Sequence, residues 1–387
     1  MTAATSSPRA RAHRGLRRVL ESRIVEALAT PHGIDHHLAT VGATWATARP
    51  PARVVAAERT TPGTVTLTLR PGPQWPGHQA GQHVTVTVPL GGARRARCFS
   101  IASSAHTSTA HASSTHASGG LVELTVKATG AGGVSDHLVA AARPGDLLDV
   151  STPAGDFVLP SERPPHVVLV SGGSGITPVL SMLRTLDDEG YAGTVSFLHY
   201  ARTAADVLAA RELTGLADRR PGWRLAVALT APGHAGAGAP AGRFRPDHLD
   251  ALAAGATEAP VWVCGPAGLA GDVASAWRRA GSTAPVHVER YQLGLLPSRP
   301  GPQEGGRIAF VRSGLEVDDD GRPLLVQAEA AGLTPAHGCR AGQCHTCIRR
   351  KPTGAVRDVR TGDVLDEPDV LVQLCVTVPE GDVEIDL

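Results

Sequence analysis

Polar and apolar residues alternate along three short stretches in the first half of the chain, at residues 64–69, 83–88 and 121–127. A two-residue period is typical of a β-strand with one buried face. Between the second and third stretches, residues 103–120 are rich in Ser, His, Ala and Thr, which predicts a disordered hairpin tip. The pattern predicts an antiparallel barrel or sandwich, which we assign to residues 51–160.

The hydrophobic pattern changes after residue 160. Residues 166–170 form a continuous apolar run, as in a strand that is buried on both faces. Similar runs follow at 195–200, 224–229 and 261–263, and residues 178–189 have a helical pattern. Because strands alternate with helical segments, we expect an α/β domain with a parallel sheet over residues 161–296.

Two further segments flank these domains. Residues 297–306 are rich in Pro and Gly and predict a linker, and residues 307–387 have strands of their own at 307–312 and 383–386 with a helix at 324–331. Residues 1–50 contain a basic segment with apolar residues at helical spacing. We interpret them as a helical extension packed on the first domain, with contact to a membrane surface as the alternative.

Charge and length exclude some classes of function. The 387 residues include 37 Lys and Arg against 36 Asp and Glu, a net charge of +1, which argues against a nucleic-acid binder. No apolar run approaches the length of a membrane-spanning helix, and the N-terminus lacks the apolar core of a secretory signal. The six cysteines would allow disulfides, but disulfide frameworks belong mostly to short secreted chains.

Four of the six cysteines have a spacing that predicts a metal centre. Cys339, Cys344 and Cys347 lie within nine residues, and Cys375 follows after 27 more. The x4–x2 spacing with a remote fourth cysteine is typical of a [2Fe-2S] cluster, because a glycine-containing loop can wrap three thiolates around two irons while the fourth closes the site. Zinc is the alternative, although zinc sites more often use two short Cys or His pairs.

The cysteine loop carries a family resemblance. Residues 305–387, and segment 337–347 in particular, resemble a plant-type ferredoxin, which implies an α+β domain of β-grasp fold. His345 departs from the small residue that most members have after the second cysteine. With four cysteines available as ligands, we expect His345 to lie near the cluster or on the surface.

A second resemblance concerns the first domain. Arg97, Cys98, Phe99 and Ser100, which we place after a strand, resemble the Arg-x-Tyr-Ser motif of the ferredoxin–NADP reductase superfamily. The resemblance implies an antiparallel β-barrel that binds a flavin. The arginine would pair with the flavin phosphate, the aromatic ring would pack on the isoalloxazine, and the serine would hydrogen-bond near the reactive nitrogen. Phe99 replaces the tyrosine, so its ring is kept and its hydroxyl is lost.

The superfamily's second flavin-phosphate motif is matched by Gly133, Val134 and Ser135, which open a predicted helix. Amides at the start of a helix bind phosphate well. The alternative is an ordinary helix start capped by Ser135.

Two turns in the second domain resemble the nucleotide-binding turns of the same superfamily. The first follows strand 166–170 and matches Gly-Gly-x-Gly-Ile-Thr-Pro, with candidate residues Gly172, Gly173, Gly175, Thr177 and Pro178. Its place between a strand and a helix is what a pyrophosphate-binding turn needs.

The second turn contains Cys264, Gly265 and Pro266. The resemblance places Cys264 beside the nicotinamide, which makes Ser100 and Cys264 our candidate catalytic residues. Arg202 would bind a 2′-phosphate and favours NADPH over NADH. Glu289 is an acidic residue that the resemblance places near the flavin.

Taken together, the motifs predict a reductase with FAD (FMN as the alternative), a [2Fe-2S] cluster and NADPH or NADH. It would pass electrons to another protein, since the chain has no motif for a terminal oxidase. Resemblance to actinobacterial fused reductases implies a membrane fatty-acyl desaturase as partner, with a cytochrome P450, a Rieske oxygenase or an alkane hydroxylase as alternatives. A redox-sensing regulator is a further alternative. We expect a cytoplasmic protein that meets a membrane through its partner.

Overall fold

The computed structural model describes residues 51–72, 75–106, 120–130, 132–232, 240–250, 255–289, 306–337, 340, 342, 346–360 and 362–387. The predicted N-terminal helix, residues 107–119 of the hairpin tip and residues 297–305 of the linker lie outside this part. Within it, no helix is long and apolar enough to cross a membrane.

The first domain is an antiparallel barrel of six strands. Their order is β4-β3-β6-β1-β2-β5, and a bridge between Ile101 and Leu124 joins the two edges. The inward-facing Val, Leu and Ile residues of the alternating stretches form its core. The elements are β1 (Pro51–Thr61), β2 (Thr64–Arg70), β3 (His83–Leu90), β4 (Ala93–Ser100), β5 (Val122–Lys127), α1 (Val134–Ala141) and β6 (Leu147–Val150).

The second domain is a parallel five-stranded sheet of order β11-β10-β7-β8-β9 with helices on both faces. Its central strands are buried on both faces and mostly apolar, with Ser171, Ser196 and His199 as buried polar exceptions. The elements are β7 (His166–Gly172), α2 (Ile176–Asp188), β8 (Thr194–Ala201), α3 (Ala210–Arg219), β9 (Arg224–Leu229), α4 (Asp247–Asp250), β10 (Val261–Cys264), α5 (Ala267–Arg279) and β11 (Val286–Glu289).

The third domain is a mixed sheet of order β13-β12-β18-β15-β16 with a short helix and a separate strand pair, β14 with β17. Ile308, Phe310, Val356 and Ile385 are fully buried in its core. The elements are β12 (Arg307–Phe310), β13 (Leu315–Asp318), α6 (Leu324–Ala330), β14 (Ile348–Lys351), β15 (Gly354–Asp358), β16 (Val364–Leu365), β17 (Val370–Gln373) and β18 (Thr377–Ile385).

The predicted multi-domain fold class, with barrel, parallel α/β and α+β domains, is confirmed. Three details were wrong. Residues 97–100 are the end of β4 rather than a segment after a strand, strand 307–312 ends at Phe310, and the closing strand begins at Thr377. The boundary at residue 160 stays a prediction. Phe157 and Leu159, which precede it, pack in the core of the second domain.

Helix α2 of the second domain holds the barrel in place. Ser181 Oγ donates to the Ser103 carbonyl at 2.6 Å, and the Ala105 amide donates to Thr185 Oγ1 at 2.9 Å. One turn of the helix therefore binds the backbone that follows strand β4.

Arg184 completes this joint from the same turn of the helix. Its guanidinium donates to the Ala102 carbonyl at 2.9 Å, to Glu123 of the barrel at 2.5 Å and to both carboxylate oxygens of Glu212 at 2.7 and 2.8 Å. Burial disfavours the charged form of Arg184, but its hydrogen bonds and its attraction to Glu212 and Glu123 outweigh burial and raise its pKa. The two domains thus share one cation between two carboxylates.

We expect Arg184→Met to lower the free energy of unfolding by about 3–5 kcal/mol, because it leaves two carboxylates without their buried partner. Chemical denaturation measures this. Arg245→Met is the matched control, since Arg245 and Asp247 form an exposed ion pair, and such pairs contribute little to stability. Equal losses in the two variants would contradict the role of Arg184.

Candidate functional site

A cleft of about 480 Å³ lies where the end of strand β4 faces the turns after β7 and β10. Strand order in the parallel sheet reverses between β7 and β10, since β8 and β9 follow β7 on one side and β11 follows β10 on the other. Open α/β sheets bind ligands at such a reversal, outside the carboxyl ends of the strands. The cleft volume is within the range of small-molecule sites.

The barrel supplies one wall of the cleft. Arg97, Cys98, Phe99 and Ser100 all line it, together with Lys127 from the paired edge strand β5. Two cations on one wall favour a ligand with phosphate groups. The Phe99 ring is only 8% exposed and belongs mainly to the barrel core, so a small part of it reaches the cleft. Lys127 was missed in the sequence; only the closure of the barrel brings it beside Arg97.

The second flavin-phosphate segment has a different placement. Val134 and Ser135 are buried, and Gly133, Val134 and Ser135 are not part of the cleft wall, although Thr129 just before them is. The N-cap of helix α1 is Gly133. The alternative prediction, a helix start capped by Ser135, therefore named the wrong residue. Asp136 accepts hydrogen bonds from the amides of Gly130 and Gly133 and from Thr129, which lowers the pKa of its carboxyl group.

Glycines form the opposite wall, because two turns approach too closely for any side chain. A Cβ at Gly175 would lie 2.3 Å from the Cys264 carbonyl oxygen, and one at Gly265 would lie 3.0 Å from the Gly172 amide. Gly173 has a φ of +57°, and nothing lies within 4 Å of where its Cβ would be, so its backbone is open to the cleft. This is a cradle of backbone amides at the start of helix α2, which suits a pyrophosphate.

Of the remaining candidate residues in the two turns, two line the cleft and one does not. Thr177 and Pro266 line the cleft, and Thr177 Oγ1 donates to the Ser174 carbonyl at 3.1 Å. Pro178 is buried within the first turn of α2, where proline is tolerated, and does not reach the cleft. Pro178 therefore serves the helix start rather than the wall.

Four polar side chains meet beneath the cleft. Glu289 Oε2 lies 3.3 Å from Ser100 Oγ and 3.8 Å from Cys264 Sγ, and His83 Nδ1 lies 4.0 Å from Glu289 Oε1. All four are nearly or fully buried. The structure thus brings Ser100, Cys264 and Glu289 together although they are remote in the chain.

Strand pairing explains why these four groups converge. His83 is opposite Ser100 in the β3–β4 pair, and Cys264 is beside Glu289 in the β10–β11 pair. His83 was missed in the sequence, where it read as the first polar position of an alternating strand. The pairing of β3 with β4 is the signal that would have found it.

Arg202 lies away from the cleft. It follows β8, its side chain is 76% exposed, and its guanidinium is 3.5 Å from Asp206.

Two of the four predicted cluster ligands, both in the third domain, lie among the described residues. Cys347 and Cys375 are buried, and they lie close together because Cys347 precedes β14, Cys375 follows β17, and these strands pair. The Gly342 amide donates to Cys375 Sγ at 3.3 Å. Cys339, Cys344 and His345 lie outside the described residues. Buried adjacent thiols with an amide donor on sulfur suit an iron–sulfur cluster.

Comparisons with known families divide the chain in the same order. An oxidoreductase FAD-binding domain model matches residues 53–159, an oxidoreductase NAD-binding domain model matches 169–275, and a 2Fe-2S iron-sulfur cluster binding domain model matches 310–380. These matches support FAD, NAD(P)H and a [2Fe-2S] cluster as the cofactors.

Relatives cover most of the chain. An NADPH oxidoreductase of Mycobacterium tuberculosis is 35% identical over 94% of this chain and 91% of its own length. The ferredoxin reductase component of a 3-ketosteroid-9-alpha-monooxygenase from that organism is 30% identical over 78% of this chain and 83% of its own. The solved structure of phthalate dioxygenase reductase aligns with a TM-score of 0.57 at 22% identity, over 88% of this chain and 98% of that one.

Proposed function

The chain belongs to the ferredoxin–NADP reductase superfamily of flavoproteins, in the form that carries a C-terminal [2Fe-2S] domain, and from that premise we propose that it donates electrons from NADPH to an oxygenase partner. The finer proposal is that this partner is a membrane fatty-acyl desaturase. The observation that carries the proposal is the buried meeting of Ser100, Cys264 and Glu289 beneath a cleft with both a cationic and a glycine wall.

The two walls of the cleft would bind different groups. Arg97 and Lys127 would hold flavin phosphate, and the amides of the Gly172–Gly175 turn would hold the nucleotide pyrophosphate. Bound FAD supplies the exchange between a two-electron hydride and single electrons, and the bound cluster carries electrons one at a time. Ser100 and Cys264 would orient the reacting rings, with Glu289 as the buried acceptor for the Ser100 hydroxyl.

The choice of partner rests on two lines of support. Relatives named as reductase components of monooxygenases support an oxygenase-type acceptor. These relatives match 78–79% of this chain, whereas the mycobacterial NADPH oxidoreductase matches 94%. The longer match supports a donor with an N-terminal extension, the feature on which the desaturase proposal depends.

We expect Cys375→Ser to reduce NADPH-driven cytochrome c reduction by at least roughly 10-fold, because disturbing a metal site costs at least that much. Ferricyanide reduction by the same variant is the internal control and should persist, since the cleft is unchanged. Stopped-flow absorbance follows both reactions. Unimpaired cytochrome c reduction would exclude the cluster from the electron path.

NADPH specificity is proposed to depend on Arg202. Losing a hydrogen bond to a phosphate should raise the KM for NADPH of Arg202→Ala by roughly 10- to 100-fold and leave the KM for NADH unchanged. Arg211→Ala is the control, because Arg211 is also an exposed arginine but lies on helix α3. A proportional rise for both nucleotides would argue against recognition of the 2′-phosphate.

The desaturase proposal is tested by reconstitution. We expect NADPH-dependent double-bond formation in vesicles that contain a membrane fatty-acyl desaturase and this protein, with product measured by mass spectrometry. Parallel reactions use a cytochrome P450 and a Rieske oxygenase. Efficient coupling to either of these, without desaturation, would overturn the desaturase assignment while leaving the donor role in place.

A further inference from the structure

The backbone of Gly342, within the cysteine loop of the third domain, is held from two sides. Its amide donates to Cys375 Sγ at 3.3 Å. Its carbonyl oxygen accepts hydrogen bonds from Arg360 Nη1 at 2.9 Å and from Gln373 Nε2 at 3.0 Å. One residue of the loop therefore connects a sulfur atom to a guanidinium group.

Arg360 lies against the loop where a side chain would otherwise be. Gly342 has a φ of +72°, and a Cβ there would lie 2.3 Å from Arg360 Nη1 and 3.0 Å from Val376 Cγ1. Only glycine allows both the left-handed backbone and this close approach. The space that glycine leaves is thus filled by a cation.

The guanidinium is itself fixed by two other segments. Arg360 Nη2 donates to Gln373 Oε1 at 2.9 Å, and Arg360 Nε donates to Asp358 at the end of β15 at 3.0 Å. Gln373 lies two residues before Cys375. Gly342, Arg360, Gln373 and Cys375 therefore form a closed ring of contacts, in which three links are hydrogen bonds and the fourth is the chain from Gln373 to Cys375.

We propose that Arg360 is a positioning residue for the [2Fe-2S] centre, which holds the Gly342 amide toward Cys375 Sγ and sets the reduction potential and retention of the cluster. The inference rests on the proposed role of Cys375 as a ligand. Hydrogen bonds to the sulfurs and nearby charge both set the potential of such clusters.

The sign of the effect follows from charge. Reduction adds one electron to the cluster, so a nearby cation favours the reduced form. Removal of the Arg360 guanidinium would also remove the positive charge that is paired with the Asp358 carboxylate, which disfavours reduction further. Loss of Arg360 therefore makes the potential more negative and frees the loop at the same time.

The experiment measures the cluster's midpoint potential, its electron paramagnetic resonance spectrum and its rate of loss to a chelator in the full-length protein. We expect Arg360→Gln to shift the potential to more negative values, alter the spectrum and speed cluster loss roughly 10-fold. Arg360→Lys keeps the charge but loses the fork of donors, so it should shift the potential less while still speeding loss.

Arg312→Gln is the matched control, because it also leaves a carboxylate, Asp386, in the same domain. Arg312 follows β12 beside the end of β18, whereas Cys375 precedes the start of β18. Equal shifts in Arg360→Gln and Arg312→Gln, or no faster loss in Arg360→Gln, would overturn the proposal.

If Arg360→Gln assembles no cluster, Gln373→Leu provides a second test. This change keeps Arg360 and its charge but removes one donor to the Gly342 carbonyl, and we expect faster cluster loss with a smaller shift in potential. Unchanged retention in Gln373→Leu would overturn the ring of contacts. The visible spectrum of the unaltered protein separates this test from the proposed function, since absence of a [2Fe-2S] spectrum there would contradict the proposed function instead.

Discussion

The partly buried ion cluster that Arg184 forms with Glu123 and Glu212 is the constraint on which the cleft depends. Arg184 lies on helix α2, whose N-cap is Gly175, so the helix that follows the glycine turn also binds Glu123 and Ala102 of the barrel. A helix is rigid over two to three turns, so the joint at Arg184 sets how far the glycine wall lies from the cationic wall. The cleft is therefore positioned by contacts outside it.

The same joint explains why the polar groups beneath the cleft meet. Two cross-strand pairs, His83 with Ser100 in the barrel and Cys264 with Glu289 in the parallel sheet, face each other across the domain boundary. Each pair is fixed by its own sheet. Only the docking of the two domains brings the Glu289 carboxylate within 3.3 Å of Ser100.

The third domain repeats this principle on a smaller scale. Its cysteine spacing is local, but the hydrogen bonds that orient the loop come from Arg360 and Gln373, on segments that follow it in the chain. Two side chains that belong to no sequence motif thereby hold the residue whose amide donates to Cys375 Sγ. Glycine at position 342 is required because the arginine occupies the space beside it.

Sequence alone determined the three-domain order, the glycine turn at 172–175 and the cysteine spacing, because strand periodicity and loop motifs are local properties of the chain. It also indicated Ser100, Cys264 and Glu289 one by one, through motifs that lie at strand ends. Tertiary structure alone decided that these three meet, that His83 joins them, that Lys127 shares the cleft wall with Arg97, and that Pro178 and Arg202 do not line the cleft. The reason is that strand register and domain docking depend on contacts between distant segments, which no local pattern encodes.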